Sequence, residues 1–558
     1  MPTLDFKGKQ LIYAHHLAVA SRPLEVDARK SFPPKGKKPS LEDNLIIHGD
    51  NLHALKALMP RYAGKVNCIY IDPPYNTGNE QWIYNDNVNS PMMKEWLKGK
   101  SPVDGEDLER HDKWLCMMWP RLQLLRELLA EDGVIFVSID DNEQHRLRMM
   151  MDEIFGEGNF VANIVWQKKY APANDAKYFS DNHDFILCYA KNRSNGKGNG
   201  EPAWERRLLP RTEKQDKLYK YDDNDGKGPW RTDNLTVKSY SPEYDYPVIN
   251  PKTGQKYNPP EGRCWVTSKE QMRNWIKENR VFFGHNGKGA PQLKRYLREV
   301  QQGLVPLTVW TYDEVGHTDG ARKTLKGIFN EQQLPFDNPK ALGLLQRVVS
   351  IAADKESVIL DSFAGSGTTA HAVLALNKED GGNRKFILVE CEDKIANKIT
   401  AERVRRVIKG IPKARDETLK KGLGGSFTYC TLGDEMSIEK MLTGKKLPDY
   451  ETLARHIYWT ATGQSVDKIN AKTKRGKDGF FYETKDSLYY LIYEPKLTFL
   501  RSTESALNSD RAERIAKQAK TKKKTAIVFA THKFMGQKEL TEMGIVFCGL
   551  LYGPNQQN

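Results

Sequence analysis

The chain lacks any long apolar segment. None of its apolar runs approaches the roughly 20 residues that a helix needs to cross a bilayer, and its first residues, MPTLDFKGKQ, contain no hydrophobic signal region. These two absences predict a cytoplasmic protein that does not associate with a membrane.

Cysteine is also scarce, with seven residues in the chain and no Cys-x-x-Cys pair. The sequence therefore offers neither a zinc site nor a disulfide framework, which indicates a reducing compartment. The acids Asp140, Asp141 and Glu143 come after a predicted strand and could suggest a metal ion. Acidic residues at the start of a helix are the commoner explanation, so we expect no metal.

Acidic residues are outnumbered by basic ones. The chain has 86 lysine and arginine residues against 72 aspartate and glutamate residues, a net charge of +14. Residues 191–330 alone carry 26 basic against 17 acidic residues, with aromatic, glycine, asparagine and proline residues scattered among them. Basic residues interleaved with aromatics suit phosphate neutralisation and base contact. The excess therefore indicates a polyanionic partner, although an ordinary solvated insertion remains the alternative.

The most informative stretch is Asp72-Pro73-Pro74-Tyr75, which comes directly after the apolar run 66–71. The run reads as a buried strand, and the prolines end it because neither can donate a backbone hydrogen bond. In open α/β sheets such strand ends bind ligands. Asp72 can accept from an amino group, the proline carbonyls are expected to be free as further acceptors, and Tyr75 can stack. The pattern predicts a receptor for a planar base with an exocyclic amine; a strand-ending turn with a solvated aspartate is the alternative.

A second stretch, residues 358–370, reads as strand, glycine turn and helix. A P-loop is excluded because no lysine follows Gly367, and the match to a dinucleotide fingerprint is weak. Asp361 would repel a pyrophosphate but suits a cationic ligand, such as the amino group or sulfonium of S-adenosylmethionine. Glu390, which ends the next strand 23 residues after Gly367, stands where an acid binds ribose hydroxyls in Rossmann-type folds.

Together these motifs resemble the DNA amino-methyltransferases, which pair Asp-Pro-Pro-Tyr with Phe-x-Gly-x-Gly. Asp72 precedes Asp361 by 289 residues, the order of the β class. The likeness extends to the modification subunits of type III restriction–modification systems. It is carried by residues 43–58, 71–86, 110–129, 133–143, 159–169, 305–329 and 358–374.

The resemblance implies an α/β fold: a circularly permuted Rossmann-like methyltransferase sheet with an inserted target-recognition domain and a C-terminal α+β module. The predicted segments are an N-terminal arm and exposed linker (1–40), the catalytic half (41–190), the target-recognition domain (191–330), the cofactor-binding half (331–425) and an assembly or DNA-contact module (430–558).

The resemblance also implies residue roles. Asp72 and the Pro73 carbonyl would accept the N6 hydrogens of a flipped-out adenine, with Tyr75 stacking on the base. Aspartate at the first motif position favours adenine N6 over cytosine N4, and no Pro-Cys dipeptide exists for cytosine C5 chemistry. S-adenosylmethionine would contact seven residues: Asp50, Lys340, Asp361, Phe363, Gly365, Gly367 and Glu390.

Two of these cofactor residues lie far from the glycine turn in the sequence. Asp50 would lie near the adenine of the cofactor if residues 45–48 form the third strand of the permuted sheet, and it can equally cap the following helix. Lys340 lies near the start of a periodic segment, 335–353, that resembles the helix beside the methionine end of the cofactor.

For DNA we expect contacts from Lys168, Lys169, Lys294 and Arg295. The polar stretch 79–113 is predicted to be a lid or a DNA-facing loop. Double-stranded DNA is the expected partner, with a homodimer and an ATP-dependent restriction or helicase subunit as possible further partners. Two alternatives stay open: a methyltransferase acting on RNA or protein, and a subunit that chiefly reads sequence within a larger defence complex.

Overall fold

The computed structural model describes residues 3–77, 110–193, 202–211, 213–300, 303–330, 336–436, 447–466, 469 and 478–550. The chain divides into two compact units. The large unit comprises Met1–Arg206 and Leu307–Asn558, and the small unit comprises Arg207–Pro306.

The strands of both units are numbered in chain order. They are β1 (Leu24–Phe32), β2 (Leu45–His48), β3 (Val66–Ile71), β4 (Leu129–Ile139), β5 (Phe160–Gln167), β6 (His183–Ala190), β7 (Trp230–Asp233), β8 (Thr236–Val237), β9 (Val248–Ile249), β10 (Lys256–Tyr257), β11 (Cys264–Trp265), β12 (Val281–Phe282), β13 (Gln292–Tyr296), β14 (Val309–Trp310), β15 (Val358–Asp361), β16 (Lys385–Glu390), β17 (Phe427–Leu432), β18 (Phe480–Glu483), β19 (Ser487–Leu491), β20 (Thr525–Ala530) and β21 (Ile545–Gly549).

The α-helices are numbered in the same way. They are α1 (Lys9–Ile12), α2 (His15–Ala18), α3 (Asn51–Tyr62), α4 (Arg110–Leu128), α5 (Gln144–Phe155), α6 (Glu213–Asp216), α7 (Lys269–Lys277), α8 (Tyr312–Val315), α9 (Thr318–Phe329), α10 (Leu342–Ala352), α11 (Thr368–Asp380), α12 (Asp393–Ile395), α13 (Glu402–Lys409), α14 (Glu417–Lys421), α15 (Tyr450–Thr462), α16 (Leu497–Leu500), α17 (Ser509–Lys522) and α18 (Gln537–Glu542). A π-helical turn, Ala396–Ala401, joins α12 to α13.

A sheet of ten described strands forms the centre of the large unit, in the order β1-β17-β2-β16-β15-β3-β4-β6-β5-β14. The strands from β2 to β4 are parallel to one another, and β6 runs antiparallel to both of its neighbours. If β15 is counted first, the parallel strands have the order 3-2-1-4-5 of a doubly wound sheet. The chain enters the parallel part of this sheet at its third strand, β2, so the predicted circular permutation is confirmed.

The central strands form because their apolar runs can be buried on both faces of the sheet. In β2 and β3 nearly every side chain is buried. Helix α4 buries most of its side chains against α3 and the sheet. The backbone leaves β3 at Ile71, as the two following prolines require.

The N-terminal arm is folded onto the large unit before the predicted linker at residues 31–40, which is exposed over residues 34–38. Residues 24–32 form β1, which pairs antiparallel with β17 at one edge of the sheet. Phe6 and Ile12 are buried in the main core, and Trp119 Nε1 donates to the Tyr13 carbonyl at 3.2 Å. The alternation of Leu24 and Val26 with acidic residues is a period-two strand pattern that the sequence already contained.

The large sheet extends beyond residue 425, the predicted end of the cofactor-binding half. β17 lies beside β2, so the large sheet is completed only at Leu432. Beyond it, β18 to β21 form a separate four-stranded sheet with its own core. Helix α15 joins this module to α3, where Ser465 Oγ donates to the Ala63 carbonyl at 2.7 Å and Lys56 Nζ lies 4.9 Å from the Trp459 ring.

The small unit lies inside the segment 191–330 that was predicted to read DNA. It contains a three-stranded sheet (β12-β13-β7), two β-ribbons and helix α7 around a small core. By contrast, β14 extends the ten-stranded sheet, and α9 also belongs to the large unit. Across the described ranges, no helix is both long and apolar enough to cross a membrane.

Candidate active site

The two sequence motifs meet at one edge of the large sheet. β3 and β15 are parallel neighbours, with Cys68 opposite Ile359 and Ile69 opposite Leu360. Their carboxyl ends therefore lie side by side, and a cavity of about 870 Å³ opens there. Its lining includes Asp72, Pro73, Pro74, Tyr75, Lys168, Lys169, Asp184, Lys340, Asp361, Phe363, Gly365 and Glu390.

Asp72 presents its two carboxylate oxygens to different surroundings. Oδ2 accepts a hydrogen bond from Lys340 Nζ at 2.5 Å. Oδ1 is buried and has no hydrogen-bond donor within the described residues. Because a buried acceptor without a donor is costly, a ligand that brings an N–H group to this oxygen would be stabilised.

The proline turn is held by Trp114 of α4. The Trp114 indole Nε1 donates to the Pro74 carbonyl at 2.7 Å. The expectation that both proline carbonyls are free for a ligand is therefore wrong for Pro74. The Pro73 carbonyl is the one left as a candidate second acceptor beside Asp72.

Tyr75 is partly buried, and its hydroxyl donates to Asp184 Oδ2 at a long 3.5 Å. Burial first, and then the charges of Asp72 and Asp184, raise the pKa of Tyr75 well above its ordinary value. The hydroxyl therefore stays protonated and can act as a donor. Its ring is available at the cavity wall.

Asp184 is a site residue that sequence reasoning missed. It is 3% exposed, and its Oδ1 accepts from Lys168 Nζ at 2.6 Å. Burial raises the pKa of Asp184, while Lys340 and Lys168 act in the opposite direction. One weak signal was present in the sequence, an acidic residue near the start of an otherwise apolar strand.

A fully buried carboxylate, Glu143, fixes the far end of the motif. Asn76, in a left-handed conformation with φ of 57°, donates from Nδ2 to Glu143 Oε1 at 2.5 Å. His111 Nδ1 contacts the same oxygen. Glu143 does precede helix α5, as predicted, but its side chain does not cap that helix. Within the described ranges, no three His, Cys, Asp or Glu residues are arranged to hold a metal ion.

Asp361 ends β15 in a much more enclosed setting. Its oxygens accept from the Thr369 hydroxyl at 2.5 Å and from the Phe363 N–H at 3.1 Å. Burial raises the pKa of Asp361 to about 7. A cationic ligand in the cavity would favour the charged form of this carboxylate.

Glu390 organises the glycine turn from the neighbouring strand. Its oxygens accept from the backbone N–H groups of Gly365, at 2.9 Å, and Glu392, at 3.1 Å. Burial raises the pKa of Glu390. The residue lines the cavity, so it faces the cavity as well as the turn.

The two glycines of the turn differ in their surroundings. Both have positive φ, 48° for Gly365 and 74° for Gly367. A Cβ on Gly365 would lie 3.1 Å from Phe336 Cζ, and both of these residues line the cavity. A Cβ on Gly367 would instead meet Thr400 Cγ2 at 3.2 Å, in the π-helical turn. Gly367 therefore shapes the backbone without lining the cavity.

Behind the turn lies a buried cation, Arg403. Its guanidinium donates to Ser366 Oγ at 3.0 Å and Thr368 Oγ1 at 2.7 Å, and it contacts His371 Nδ1 at 3.3 Å. Burial lowers the pKa of Arg403 to about 9, and burial also lowers the pKa of His371 well below its ordinary value. A neutral His371 can accept from Arg403, which stiffens the turn.

Asp50 is a helix cap. Its Oδ1 accepts from the backbone N–H groups of Leu52, at 2.9 Å, and His53, at 3.3 Å, at the start of α3. The strand before it, β2, lies next to β16, and the Gly49 N–H donates to the Glu390 carbonyl at 3.0 Å. The capping role is confirmed; contact with a cofactor stays a prediction.

The residues predicted to contact DNA have unlike settings. Lys168 is paired with Asp184 inside the cavity, whereas Lys169 is exposed at its edge. In the small unit, Lys294 is 5% exposed and donates to Asp223 at 2.6 Å, so it is a structural residue of that unit. Arg295 is exposed and pairs with Asp233. The predicted loop 79–113 falls mostly outside the described residues.

Comparison with known proteins agrees with the motifs. The DNA methylase family matches residues 66–402. The chain is 37% identical over 369 residues to the type III restriction-modification enzyme StyLTI Mod subunit of Salmonella typhimurium, a match that covers 64% of this chain and 54% of that protein.

Two further relatives are Mod subunits of the same kind. The EcoP15I Mod subunit of Escherichia coli is 33% identical over 430 residues, covering 68% of this chain and 64% of the relative. The EcoPI Mod subunit of Escherichia phage P1 is 32% identical over 475 residues, covering 74% and 70%. The chain thus spans between about half and 70% of the length of these relatives. Asp72, Lys340, Asp361 and Glu390 all lie inside the family match. The chain therefore belongs to the DNA methylase family.

Proposed function

We propose that this chain transfers a methyl group from S-adenosylmethionine to N6 of a flipped-out adenine in double-stranded DNA, within a restriction–modification or phage-defence system. The observation that carries the proposal is the meeting of two strand ends in one cavity. One end supplies Asp72 with an oxygen that lacks a donor among the described residues, and the other supplies Asp361 and the glycine turn.

The residues around the glycine turn fit S-adenosylmethionine. When bound, this cofactor supplies a methyl group activated by its sulfonium. The buried Asp361 suits a cationic group, because an opposite charge would offset the burial that raises its pKa to about 7. Gly365 lets the backbone approach closely, and Phe363 and Glu390 line the same wall. Gly367 and Asp50 are the remaining candidates for the cofactor site, while Lys340, predicted for the same site, contacts Asp72.

The base would be held by the first strand end. Adenine N6 is a poor nucleophile because its lone pair is delocalised into the ring. Asp72 Oδ1 and the Pro73 carbonyl can accept its two hydrogens, which concentrates the lone pair toward the methyl group. Such a step depends on positioning and preorganised charge. Flipping the base costs a few kcal/mol, and stacking on Tyr75 would offset about 1–3 kcal/mol.

DNA recognition is proposed for the segment 191–330, with the small unit, Arg207–Pro306, as its folded centre. Lys169 and Arg295 are the exposed candidates for phosphate contact, since Lys168 and Lys294 are tied to Asp184 and Asp223. A cytoplasmic location is proposed because the Mod-subunit relatives come from bacteria and a bacteriophage.

Partners are proposed from the relatives, which are named as subunits of type III restriction–modification enzymes. On this basis the chain would form a homodimer and associate with an ATP-dependent restriction subunit. The module over residues 430–558, whose four-stranded sheet has a core of its own, is the part of the chain proposed for such assembly.

The test is a methyl-transfer assay with purified protein and S-adenosylmethionine labelled in its methyl group. We expect label in duplex DNA as N6-methyladenine, and none in RNA or protein. Label as N4-methylcytosine, or in RNA or protein only, would contradict the proposal. Specific DNA binding with no transfer to any substrate would favour a subunit that only reads sequence.

A further inference from the structure

Lys340 is placed differently from the expectation that assigned it to the cofactor. Helix α10 begins at Leu342, so Lys340 precedes the helix and its side chain reaches into the cavity. Its Nζ donates to Asp72 Oδ2 at 2.5 Å, joining residues that are 268 positions apart in the chain. A charge-assisted hydrogen bond of this length belongs to the stronger class.

Two aromatic rings fix the ammonium group. Lys340 Nζ lies 5.1 Å from the centroid of Tyr75 and 6.0 Å from that of Trp166, within the range of cation–π attraction. Trp166 is itself held, because its indole Nε1 donates to the Gly316 carbonyl at 3.0 Å. The lysine side chain is only 14% exposed. These contacts leave the ammonium little freedom to move away from Asp72.

As a consequence, the two oxygens of the Asp72 carboxylate have different contacts. Lys340 engages Oδ2, while Oδ1 is buried without a donor in the described part of the chain. A free carboxylate could rotate and present either oxygen, whereas one anchored through Oδ2 presents Oδ1 in a fixed direction. Lys340 also faces the second buried carboxylate of the cavity, Asp184, and acts against the burial that raises the pKa of Asp184.

We propose that Lys340 is a positioning residue for methyl transfer. It anchors Asp72 through Oδ2, so that Oδ1 is aimed at the incoming amine, and it supplies the positive charge that this partly buried carboxylate needs. The inference rests on the proposed function and deepens it, since it assigns Lys340 to the base side of the cavity. The alternative is that the lysine binds the carboxylate of the cofactor.

The experiment compares Lys340→Met with a closely matched control, Lys9→Met. Lys9 is also 14% exposed, its Nζ lies 2.8 Å from Glu153 Oε1, and it lies 5.1 Å from the Trp119 ring. It is absent from the lining of the cavity. The control therefore removes a similar ion pair and cation–π contact from the same unit without touching the site.

Three quantities are measured for each full-length variant: affinity for S-adenosylmethionine by calorimetry, single-turnover methylation rate at saturating cofactor, and melting temperature. For Lys340→Met we expect a rate about 100-fold lower, the loss that misplacing a reacting group can cause, with cofactor affinity unchanged. Lys340→Arg should recover most of the rate because a guanidinium can still donate to Oδ2. Lys9→Met should change neither rate nor affinity.

Several results would overturn the inference. A weaker cofactor affinity with a wild-type rate at saturation would assign the lysine to the cofactor, and a Lys340→Arg variant as slow as Lys340→Met would deny the anchoring role. If Lys340→Met does not fold, Lys340→Leu, which also cannot donate to Oδ2, takes its place with the same expectations. Failure of the proposed function looks different, because then wild type and all variants are equally inactive.

Discussion

Asp72 and Asp361 end neighbouring strands and line one cavity, yet their surroundings are opposite. Asp72 has a lysine on one oxygen and no donor from the described residues on the other. Asp361 is 3% exposed, and its hydrogen bonds within the described part of the chain come from neutral groups, the Thr369 hydroxyl and the Phe363 N–H. Under the proposed function, the first would accept from a neutral amine and the second would face a cation.

One fold thus gives two acids different surroundings. Both residues come at the end of a buried parallel strand, so the fold alone gives them the same position. The difference arises from the residues that come after each strand. After Asp72, two prolines turn the chain toward Lys340 and Trp114; after Asp361, the glycine turn folds back and encloses the carboxylate.

The largest effect should come from a substitution of Asp72, whose Oδ1 has no hydrogen-bond donor among the described residues. We expect Asp72→Ala to lower methyl transfer by about 1,000-fold or more, because the acceptor that prepares the amine is removed. Cofactor binding and duplex binding should persist, since neither is assigned to this side chain. The check is a single-turnover assay beside separate binding titrations. A variant with wild-type turnover would remove Asp72 from the mechanism.

Asp361→Asn should change the pH dependence of stability. Burial raises the pKa of Asp361 to about 7, whereas an unfolded aspartate titrates near 3.9. Between these values the folded state holds a proton that the unfolded state releases, so stability falls as pH rises through this window. The asparagine variant escapes this loss. Its unfolding free energy relative to wild type should therefore rise by about 2 kcal/mol between pH 5 and pH 8.

Denaturant unfolding of both proteins without cofactor, at several pH values, measures this difference. Contributions from other acids cancel because only one residue differs. A constant difference across the pH range would mean that Asp361 is already charged when no cofactor is bound. The same variant should bind S-adenosylmethionine more weakly.

Gly365 and Gly367, in the turn after Asp361, can also be compared with each other. Gly365→Ala should weaken cofactor binding about tenfold, because the new methyl group meets Phe336 in the cavity lining. Gly367→Ala should mainly lower the unfolding free energy, by about 1–2 kcal/mol, because left-handed backbone is unfavourable for alanine. Both variants should melt at a lower temperature because both glycines have positive φ, so it is the cofactor affinity measured by calorimetry that separates the two results. Equal losses of affinity would show that Gly367 also faces the ligand.

Trp459→Ala is expected to have the smallest effect on the cavity that Asp72 and Asp361 line. Trp459 lies against Lys56 on α3, where the C-terminal module meets the large sheet. Its loss should lower the melting temperature while the methylation rate and cofactor affinity stay at wild-type values. A changed rate would mean that this module influences the cavity.

Much of the fold was predictable because local chemistry determined it. The strand ends at Asp72 and Asp361 result from apolar runs that stop at prolines or glycines, and the permuted strand order results from the order of the motifs. The family assignment is confirmed by the match over residues 66–402. β1 was missed although its alternation was visible, because the Pro- and Lys-rich piece after it is typical of a linker.

The partners of the site residues were not predictable. Lys340 is 268 residues from Asp72, and nothing in either local sequence indicates their contact. The same holds for Asn76 and Glu143, and for Trp114 and the Pro74 carbonyl. Side-chain pairing across distant segments depends on rotamers and packing, which no sequence periodicity reports. For this reason Lys168 and Lys294 were assigned to DNA when each is held by an internal carboxylate.

Whether the two strand ends form one adenine methylation site is best tested by sequencing DNA from cells that express this chain, using long reads that detect methylated bases. We expect N6-methyladenine at one recurring sequence in cells with the wild-type chain, and no such mark with Asp72→Ala. An absent mark with the wild type, a mark on cytosine N4, or a mark that persists with Asp72→Ala would contradict a single adenine methylation site built from Asp72 and Asp361.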